Sequence, residues 1–476
     1  MTLGIAEGPF HASLESLRGF ECPVWFRDAK FGIWSHWGPQ AVPMYGDWYA
    51  RHLYREGQDQ YYHHWRVYGH PSKVGYKDIV PQWRAEKFDP EGLMRLFVDA
   101  GARYFCGQAM HHDNFDNFDS AHNRWNSVNV GPKKDIVALW RAAAQAQNLP
   151  FGLSEHLGAS FNWWGSNKDS DTSGPYAGVP YDGNDPAFAD LYHNNQGYTL
   201  EKAWYTDNEI FHRHWFDRIK DVIDTYQPDL LYSDGGVPFG DFGLGIVAHL
   251  YNTSAALHGT NRAVYNQKDT NPDIYTIGVL DIERGQREEI AEHPWQTDTS
   301  VGDWFYNVRD RYKTPGQVLE TLVDIVSKNG NLLLNLPQLP DGSLDEECTY
   351  LLHQLAGWMR LNGEGLFGSR PWERSGEGAS AAVSGAFKED AVDWHSTDFR
   401  FTRKEDTVYA YQMRWPEDGH TLIRALASGQ ARRVASVKLL GHGPVAFTQT
   451  SDGLSITMPA APTGSVGPHS FAVTQE

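Results

Sequence analysis

Cysteine is scarce in this chain: Cys22, Cys106 and Cys348 are the only three in 476 residues. They are odd in number and far apart, which excludes a disulfide framework, and no Cys-x-x-Cys pair is available for a structural zinc. All three read as reduced core or near-core residues. Long apolar runs are lacking too. No stretch of about 18 apolar residues occurs, so nothing reads as a membrane span. The N-terminal MTLGIAEGPFHASLESLRGF has no basic segment followed by an apolar one, so no signal peptide is read there. The expectation is a cytoplasmic protein, or a secreted or periplasmic one if a signal has been removed. Positive charge is in deficit, with 41 Lys and Arg against 60 Asp and Glu, a formal charge of −19. That balance argues against nucleic acid or anionic membrane as a partner, because phosphate binding needs a basic surface.

Aromatic residues, by contrast, are plentiful at 13%, with 18 Trp, 23 Tyr and 23 Phe. Such rings fill cores, and they also stack on sugar rings. The length exceeds what one hydrophobic core sustains, so about two domains are expected. Eight short apolar runs read as strands: KFGIWSH (30–36), RYFCGQAM (103–110), FGLSEH (151–156), LLYSDG (230–235), AVYNQK (263–268), IGVLDIE (277–283), WQTDTSV (295–301) and NLLLNLP (331–337). Helical segments alternate with them. FDPEGLMRLFVDAG opens on Asp89 as N-cap and Pro90 at the first helical position. TDNEIFHRHWFDRIKDVIDTY reads as a capping box of Thr206 and Glu209. TPGQVLETLVDIVSKNG carries Thr314, Pro315 and Gln317 at its start and Gly330 at its end. Eight βα units over about 330 residues predict a (β/α)₈-like barrel, assigned to residues 1–367. Short alternating strands between Gly, Asp and Pro turns predict a smaller all-β sandwich over 368–476. The loop 157–200, rich in Gly, Asn, Asp and aromatics, is long enough to be functional.

A (β/α)₈ barrel places its chemistry where the strands' C-terminal ends converge. Those ends carry Ser35, His36 and Trp37; His111, His112 and Asp113; Glu155 and His156; Tyr232 and Asp234; Gln267 and Lys268; Asp281 and Glu283; Thr297, Asp298 and Thr299; and Asn335. One such end is a turn, whereas eight are a site. Strand alternation puts Tyr232 with Asp234, and Asp281 with Glu283, on one face.

Three chemistries compete for this set. A metal hydrolase would start from His-x-His on the first strand, where this chain has SHW; strand five offers no His and HExxH is absent. A phosphate site needs a glycine-rich turn between strand and helix. GEGLFG (363–368) matches G-x-G-x-x-G but follows a helix, so it reads as a helix C-terminus. Glycoside hydrolysis needs two carboxylates between aromatic walls, about 5–5.5 Å apart when one of them is a nucleophile. Asp234 and a carboxylate from strand six or the following loop fit that requirement.

The segments KFGIWSHWGPQAVPMYGDWYARHLY and HHDNFDNFDSAHNRWNSVNVGPKKDIV resemble the α-L-fucosidases of glycoside hydrolase family twenty-nine. PDLLYSDGG, WQTDTSVGDWFYN and GNLLLNLPQLPDG continue the resemblance in order, across roughly residues 20–365. The resemblance implies a barrel followed by a β-sandwich and a retaining mechanism that needs no metal or other cofactor. It puts Asp234 at the position of the nucleophile. His36, His111, His112 and Trp48 match residues that hold the fucose hydroxyls and ring, and Trp304 matches an aromatic against the fucose methyl. Asp47 stands where the family often has Glu, Tyr232 where Trp is common, and Lys268 where Arg is frequent. His156, at the third strand end, joins the substrate-binding set. The acid/base is assigned to Glu283, with Glu288, Glu289 and Glu292 as the alternatives. The implied partner is a fucosylated oligosaccharide or glycoconjugate, and the oligomeric state is left open. The rival readings are a fucose-binding protein without catalysis and a barrel glycosidase for a different sugar.

Overall fold

The computed structural model describes residues 3–464 and 466–476. Eight parallel strands close into a barrel: β1 (Phe31–Ser35), β2 (Tyr104–Met110), β3 (Phe151–Glu155), β4 (Leu230–Ser233), β5 (Val264–Gln267), β6 (Val279–Asp281), β7 (Trp295–Ser300) and β8 (Gly330–Asn335). Seven lie inside one of the eight runs, and β8 starts one residue before its run, at Gly330. β8 returns to β1, with Phe31 opposite Leu332 and Trp34 opposite Asn335. The strands are buried along their whole length, as parallel sheets covered on both faces require. Trp34, Tyr104, Cys106, Leu230, Tyr232, Val264, Val279 and Leu333 fill the barrel, so the interior is packed rather than hollow. Burying each large apolar side chain contributes about 1.5–3 kcal/mol.

The helices follow their sequence signals with two corrections. Pro90–Asp99 starts on Asp89, whose carboxylate accepts from Gly92 N, and Pro315–Ser327 has the Thr314–Gln317 capping box. Glu209–Tyr226 is instead capped by Asn208, whose side chain accepts from Phe211 N, while Thr206 Oγ1 accepts from Asn208 N. The Thr206–Glu209 spacing is right for a box, but the chain enters the helix two residues later. Likewise the helix before β8 ends at Ser327, the left-handed residue is Asn329 (φ 72°), and Gly330 already belongs to the strand. Gly363 and Gly365 lie within the helix Glu346–Leu366, in keeping with the helix-terminal reading of GEGLFG.

The loop 157–200 is ordered by short helices such as Ser160–Trp163 and Ala189–Tyr192 and by buried Trp163, Trp164 and Tyr192. Arg51, fully buried, donates to the carbonyl of Trp163 and pairs with Glu201 at 2.7 Å, which fastens this loop to the first βα connection. Among the described residues no helix is long and apolar enough to cross a membrane.

After the barrel come β9 (Arg370–Glu377), β10 (Phe399–Lys404), β11 (Thr407–Gln412), β12 (His420–Ile423), β13 (Val434–Leu439), β14 (Gly443–Pro444), β15 (Phe447–Thr450), β16 (Gly453–Thr457) and β17 (His469–Gln475). They form an antiparallel six-stranded sheet in the order β14-β13-β17-β11-β10-β9 and a three-stranded sheet β12-β16-β15. Between the sheets lies a separate core that includes Phe399, Phe401, Leu426, Leu454, Ile456 and Phe471. This domain is anchored on the barrel's helices. Arg400 pairs with the buried Asp324, which Lys328 also meets at 2.8 Å, and Ser470 Oγ donates to Asn362 Oδ1 at 2.8 Å. Removing one partner of so buried an ion pair leaves a bare charge, at a cost of about 3–5 kcal/mol.

Candidate active site

The aspartate and two glycines that close PDLLYSDGG after a buried strand stand at the barrel's mouth. Asp234 directly follows β4, and its backbone N donates to Glu155 O at 3.1 Å. The chain must then turn sharply. Gly235 has φ 101°, and a Cβ there would meet Tyr205 Oη at 2.5 Å, so only glycine fits. Asp234 Oδ1 accepts from Lys268 Nζ at 2.7 Å, and its Oδ2 lies 3.2 Å from His112 Nε2. His112 Nδ1 in turn donates to His156 O at 2.6 Å, which fixes the ring. Burial opposes a charge on Asp234, but the Lys268 ammonium and the His112 hydrogen bond outweigh it and hold the carboxyl well below the usual range.

Lys268, one residue beyond β5, also donates to Glu283 Oε2. Two carboxyl groups on one ammonium have their bonded oxygens no further apart than about 5–6 Å, two hydrogen-bond lengths. Glu283 has the opposite protonation tendency: burial, offset in part by Lys268 and reinforced by the Asp298 and Asp234 charges, pushes it up to about 7. Glu288, Glu289 and Glu292 are all solvent-exposed on the loop that follows, whereas Glu283 is turned into the site.

Beneath this pair is a layer that joins the strand-end residues Asp281, Asp298 and Tyr232 through Gln296 and Tyr104, two residues not among the candidates. Burial and the Asp298 charge push Asp281 well above the carboxylate range, so it is protonated beside Asp298. Asp281 Oδ2 accepts from Gln296 Nε2 at 2.7 Å, Gln296 Oε1 accepts from Tyr104 Oη at 2.8 Å, and Tyr232 Oη donates to Asp298 Oδ2 at 3.0 Å. Lys268 Nζ lies 3.9 Å from Asp298 and 5.5 Å from the Tyr232 ring. One cation therefore faces a net excess of carboxylates. Burial works against its charge, but Asp234, Asp298 and Glu283 raise it well above the ordinary lysine value.

On the opposite side His36, His111 and His156 form a buried cluster whose ligand nitrogens all lie within 4.8 Å of one another. Burial, with the neighbouring histidines, holds His36 and His111 well below the ordinary value, and His156 falls to about 3; all three are neutral. His111 Nδ1 pairs with Gln40 Nε2 at 2.8 Å. Among the described residues both His36 ring nitrogens and His156 Nδ1 have no protein partner. Histidines that hold a metal give their other ring N–H to an acceptor, and among the described residues His36 has none on either nitrogen while His111 Nδ1 meets the Gln40 amide nitrogen. The open nitrogens fit a ligand that brings hydroxyl groups.

Aromatic walls complete the site. Trp34 packs against His36, His156, Tyr232 and Trp304 at centroid distances of 5.0–5.8 Å. Trp48, held at φ 55°, stands edge-on to His112 at 5.8 Å with Trp163 and Trp204 behind it. Beside Trp48, Asp47 is pushed well above the carboxylate range by burial and the Asp303 charge. The loops bearing these residues are joined: Gly46 N donates to Tyr306 O and Val308 N to Met44 O, at 3.2 and 3.1 Å. Asn335 at the end of β8 accepts from His36 N and donates to Trp304 O, at 3.0 and 2.9 Å.

Other strand-end residues serve the scaffold. Glu155 accepts from Ser233, Trp215 and Leu157 N, Asp113 from Tyr76, and Trp37 Nε1 donates to Leu339 O. Trp34, Trp163, Trp204 and Gln40 are the site-lining residues that sequence reasoning passed over. Trp34 alone carried a signal, as the residue two before His36 on an inward face.

A low-lying and a raised carboxyl sharing one ammonium at the mouth of a closed parallel barrel, with rings on the far side, define a glycoside hydrolase. The comparisons with known proteins narrow the class. A family model described as alpha-L-fucosidase matches residues 2–364, and one described as alpha-L-fucosidase C-terminal domain matches residues 392–473. Tissue alpha-L-fucosidase of Rattus norvegicus is 29% identical over 97% of this chain and 91% of its own length. The Homo sapiens tissue enzyme is 27% identical over 96% and 90%. The crystal structure of Thermotoga maritima alpha-fucosidase in complex with fucose superposes with a TM-score of 0.75 at 25% identity, covering 98% of this chain and all of that one. The chain belongs to the alpha-L-fucosidase family.

Proposed function

We propose that this chain is a retaining exo-α-L-fucosidase that removes terminal fucose from glycans through a covalent fucosyl-enzyme on Asp234, with Glu283 as the acid and then the base. The observation that carries this reading is the pair of buried carboxyl groups on Lys268 with opposite protonation tendencies, an ionised group to attack and a protonated one to donate. The Asp234 carboxylate attacks the anomeric carbon while the Glu283 proton passes to the glycosidic oxygen. The C–O bond breaks with its electrons on the departing alcohol. Glu283, now a carboxylate, takes a proton from water, whose oxygen attacks the same carbon and frees Asp234. Two inversions give net retention. Neutral His36, His111 and His156 offer their nitrogens to the sugar hydroxyls. Protonated Asp47 adds a donor, and His112 orients Asp234. Trp48, Tyr232 and Trp304 supply ring and methyl contacts. Lys268 stabilises the charge that moves between the two carboxyl groups.

Proton NMR of an aryl α-L-fucoside during hydrolysis tests the stereochemistry. The α-anomer of fucose is expected first, and β-fucose as the first product would overturn the mechanism.

The pH dependence follows from the same groups. Activity needs Asp234 ionised and Glu283 protonated, so kcat/KM falls as pH rises through about 7. The acid limb lies below the ordinary carboxylate range, because Asp234 is held low. In Lys268→Met the cation that favours both charged forms is gone. Both limbs are then expected to move to higher pH, by about 1–3 units. A pH profile of kcat/KM for the two proteins checks the direction, and a fall of either limb would count against the assignment.

A further inference from the structure

Glu283 lies two residues beyond β6, which is only three residues long, so the strand by itself holds it poorly. On one side the backbone is secured by β7: Ile282 N donates to Gln296 O and Arg284 N to Asp298 O, at 2.9 and 2.8 Å. On the other side the carbonyls are taken by a segment about a hundred residues further along the chain. Phe387 N donates to Glu283 O, Lys388 N to Arg284 O and Gly385 N to Gln286 O, at 2.9, 3.0 and 2.8 Å. This segment belongs to the connection between β9 and β10 of the sandwich domain and falls between the two stretches that the family models match.

One of its side chains, Glu389, reaches into the barrel mouth. Glu389 Oε1 accepts from Thr299 Oγ1 at 2.6 Å, at the end of β7 beside Asp298. Its other oxygen lies 3.1 Å from Lys313 Nζ and 3.6 Å from the Arg284 guanidinium. Arg284, next to Glu283, donates to Gly302 O at 2.7 Å and sits 4.8 Å over the Trp304 ring. The contact is held in demanding backbone geometry: Arg284 and Phe387 face each other with φ 44° and 55°. Non-glycine residues keep such angles only where the surroundings impose them, and such angles cluster at functional sites.

We propose that residues 385–389 are a positioning element of the active site, which clamps the Glu283 backbone from outside the barrel and is anchored by Glu389. Glu389 touches neither substrate nor a reacting atom. It acts through Arg284 and the strand-like stretch 282–286, which is threaded between β7 and the clamp. The inference rests on Glu283 being the acid/base. The groups facing the Glu283 carboxyl are Lys268, Asp298, Asp234 and, further off, Asp47, none of which the clamp replaces.

The test separates aim from mere stability by comparing leaving groups. Dinitrophenyl α-L-fucoside departs without protonation, whereas phenyl α-L-fucoside needs the acid. Glu389→Gln is expected to lower kcat/KM for the phenyl substrate about tenfold or more and for the dinitrophenyl substrate less than about twofold, a fraction of what general acid catalysis contributes. The basic limb of its pH profile is expected to shift, because the carboxyl no longer sits at the same depth. Gly285→Ala supplies a second route that alters no charge. A Cβ there would stand 2.0 Å from Gly385 O and push the clamp away, and the same split is expected. Equal losses on both substrates in both variants, or no loss in either, would overturn the inference. Glu283→Gln run alongside keeps the two readings apart. If it shows the split and the clamp variants do not, only the positioning role fails. If Glu283→Gln loses activity equally on both substrates, the acid/base assignment fails and the clamp's role goes with it.

Discussion

Replacing Asp234 by alanine is expected to lower kcat on an aryl α-L-fucoside by at least about 10⁴-fold, the order of loss when a covalent nucleophile is removed. The fold should survive, because Lys268 keeps Glu283 and Asp298 as partners and Gly235 still makes the turn. Added azide fills the vacated space and attacks from the face that Asp234 used. The product of the rescued reaction is then β-L-fucosyl azide, identified by NMR. Activity within tenfold of the unsubstituted protein would remove Asp234 from the reaction. Loss without azide rescue, in a protein that still binds fucose, would leave it a binding residue only.

The second large effect is that of Glu283→Gln. With a phenyl leaving group kcat/KM should fall by about 10²–10⁴-fold, since Glu283 is the raised carboxyl that shares Lys268 with the nucleophile. With a dinitrophenyl leaving group the first step needs no proton, so a burst of phenol should precede a slow steady state in which water lacks its base. Azide needs no base, so it should restore turnover and give α-L-fucosyl azide, the opposite anomer from the Asp234 variant. Obtaining the same anomer from both variants would contradict the assignment of two distinct faces.

The barrel could be read from the chain because most strands are short, fully buried runs with apolar residues at their start and polar ones at their C-terminal ends, closed by turn residues. Asp234 stood out for a related reason: an ionisable group ending an apolar strand has no structural excuse until its partners are known. Side-chain alternation favours Glu283 over Glu288, Glu289 and Glu292, which are solvent-exposed. The remainder was illegible on physical grounds. That Asp281 is protonated depends on Asp298 lying across an adjacent strand, a fact of burial and proximity with no local signature. The N-cap of the helix Glu209–Tyr226 was misread because Thr206 and Asn208 are both good caps, and only the entry path chooses between them. The 385–389 contact lies in a stretch of Gly, Ala and Ser with no periodicity, a stretch that resembles a plain tether until the carbonyls it covers are seen.

The pairing of β1 with β8 has a bearing on how the molecule is made. Phe31 must wait for Leu332, its partner across the closing seam. At the usual pace of synthesis, about 5–20 residues per second, that wait lasts roughly 15–60 s. Throughout it the first strand, apolar except for its last residue, has one edge with nothing to pair against, and unpaired strand edges recruit other chains. Yield in a cell should therefore depend on the rate of translation and the supply of chaperones more than on the stability of the finished barrel.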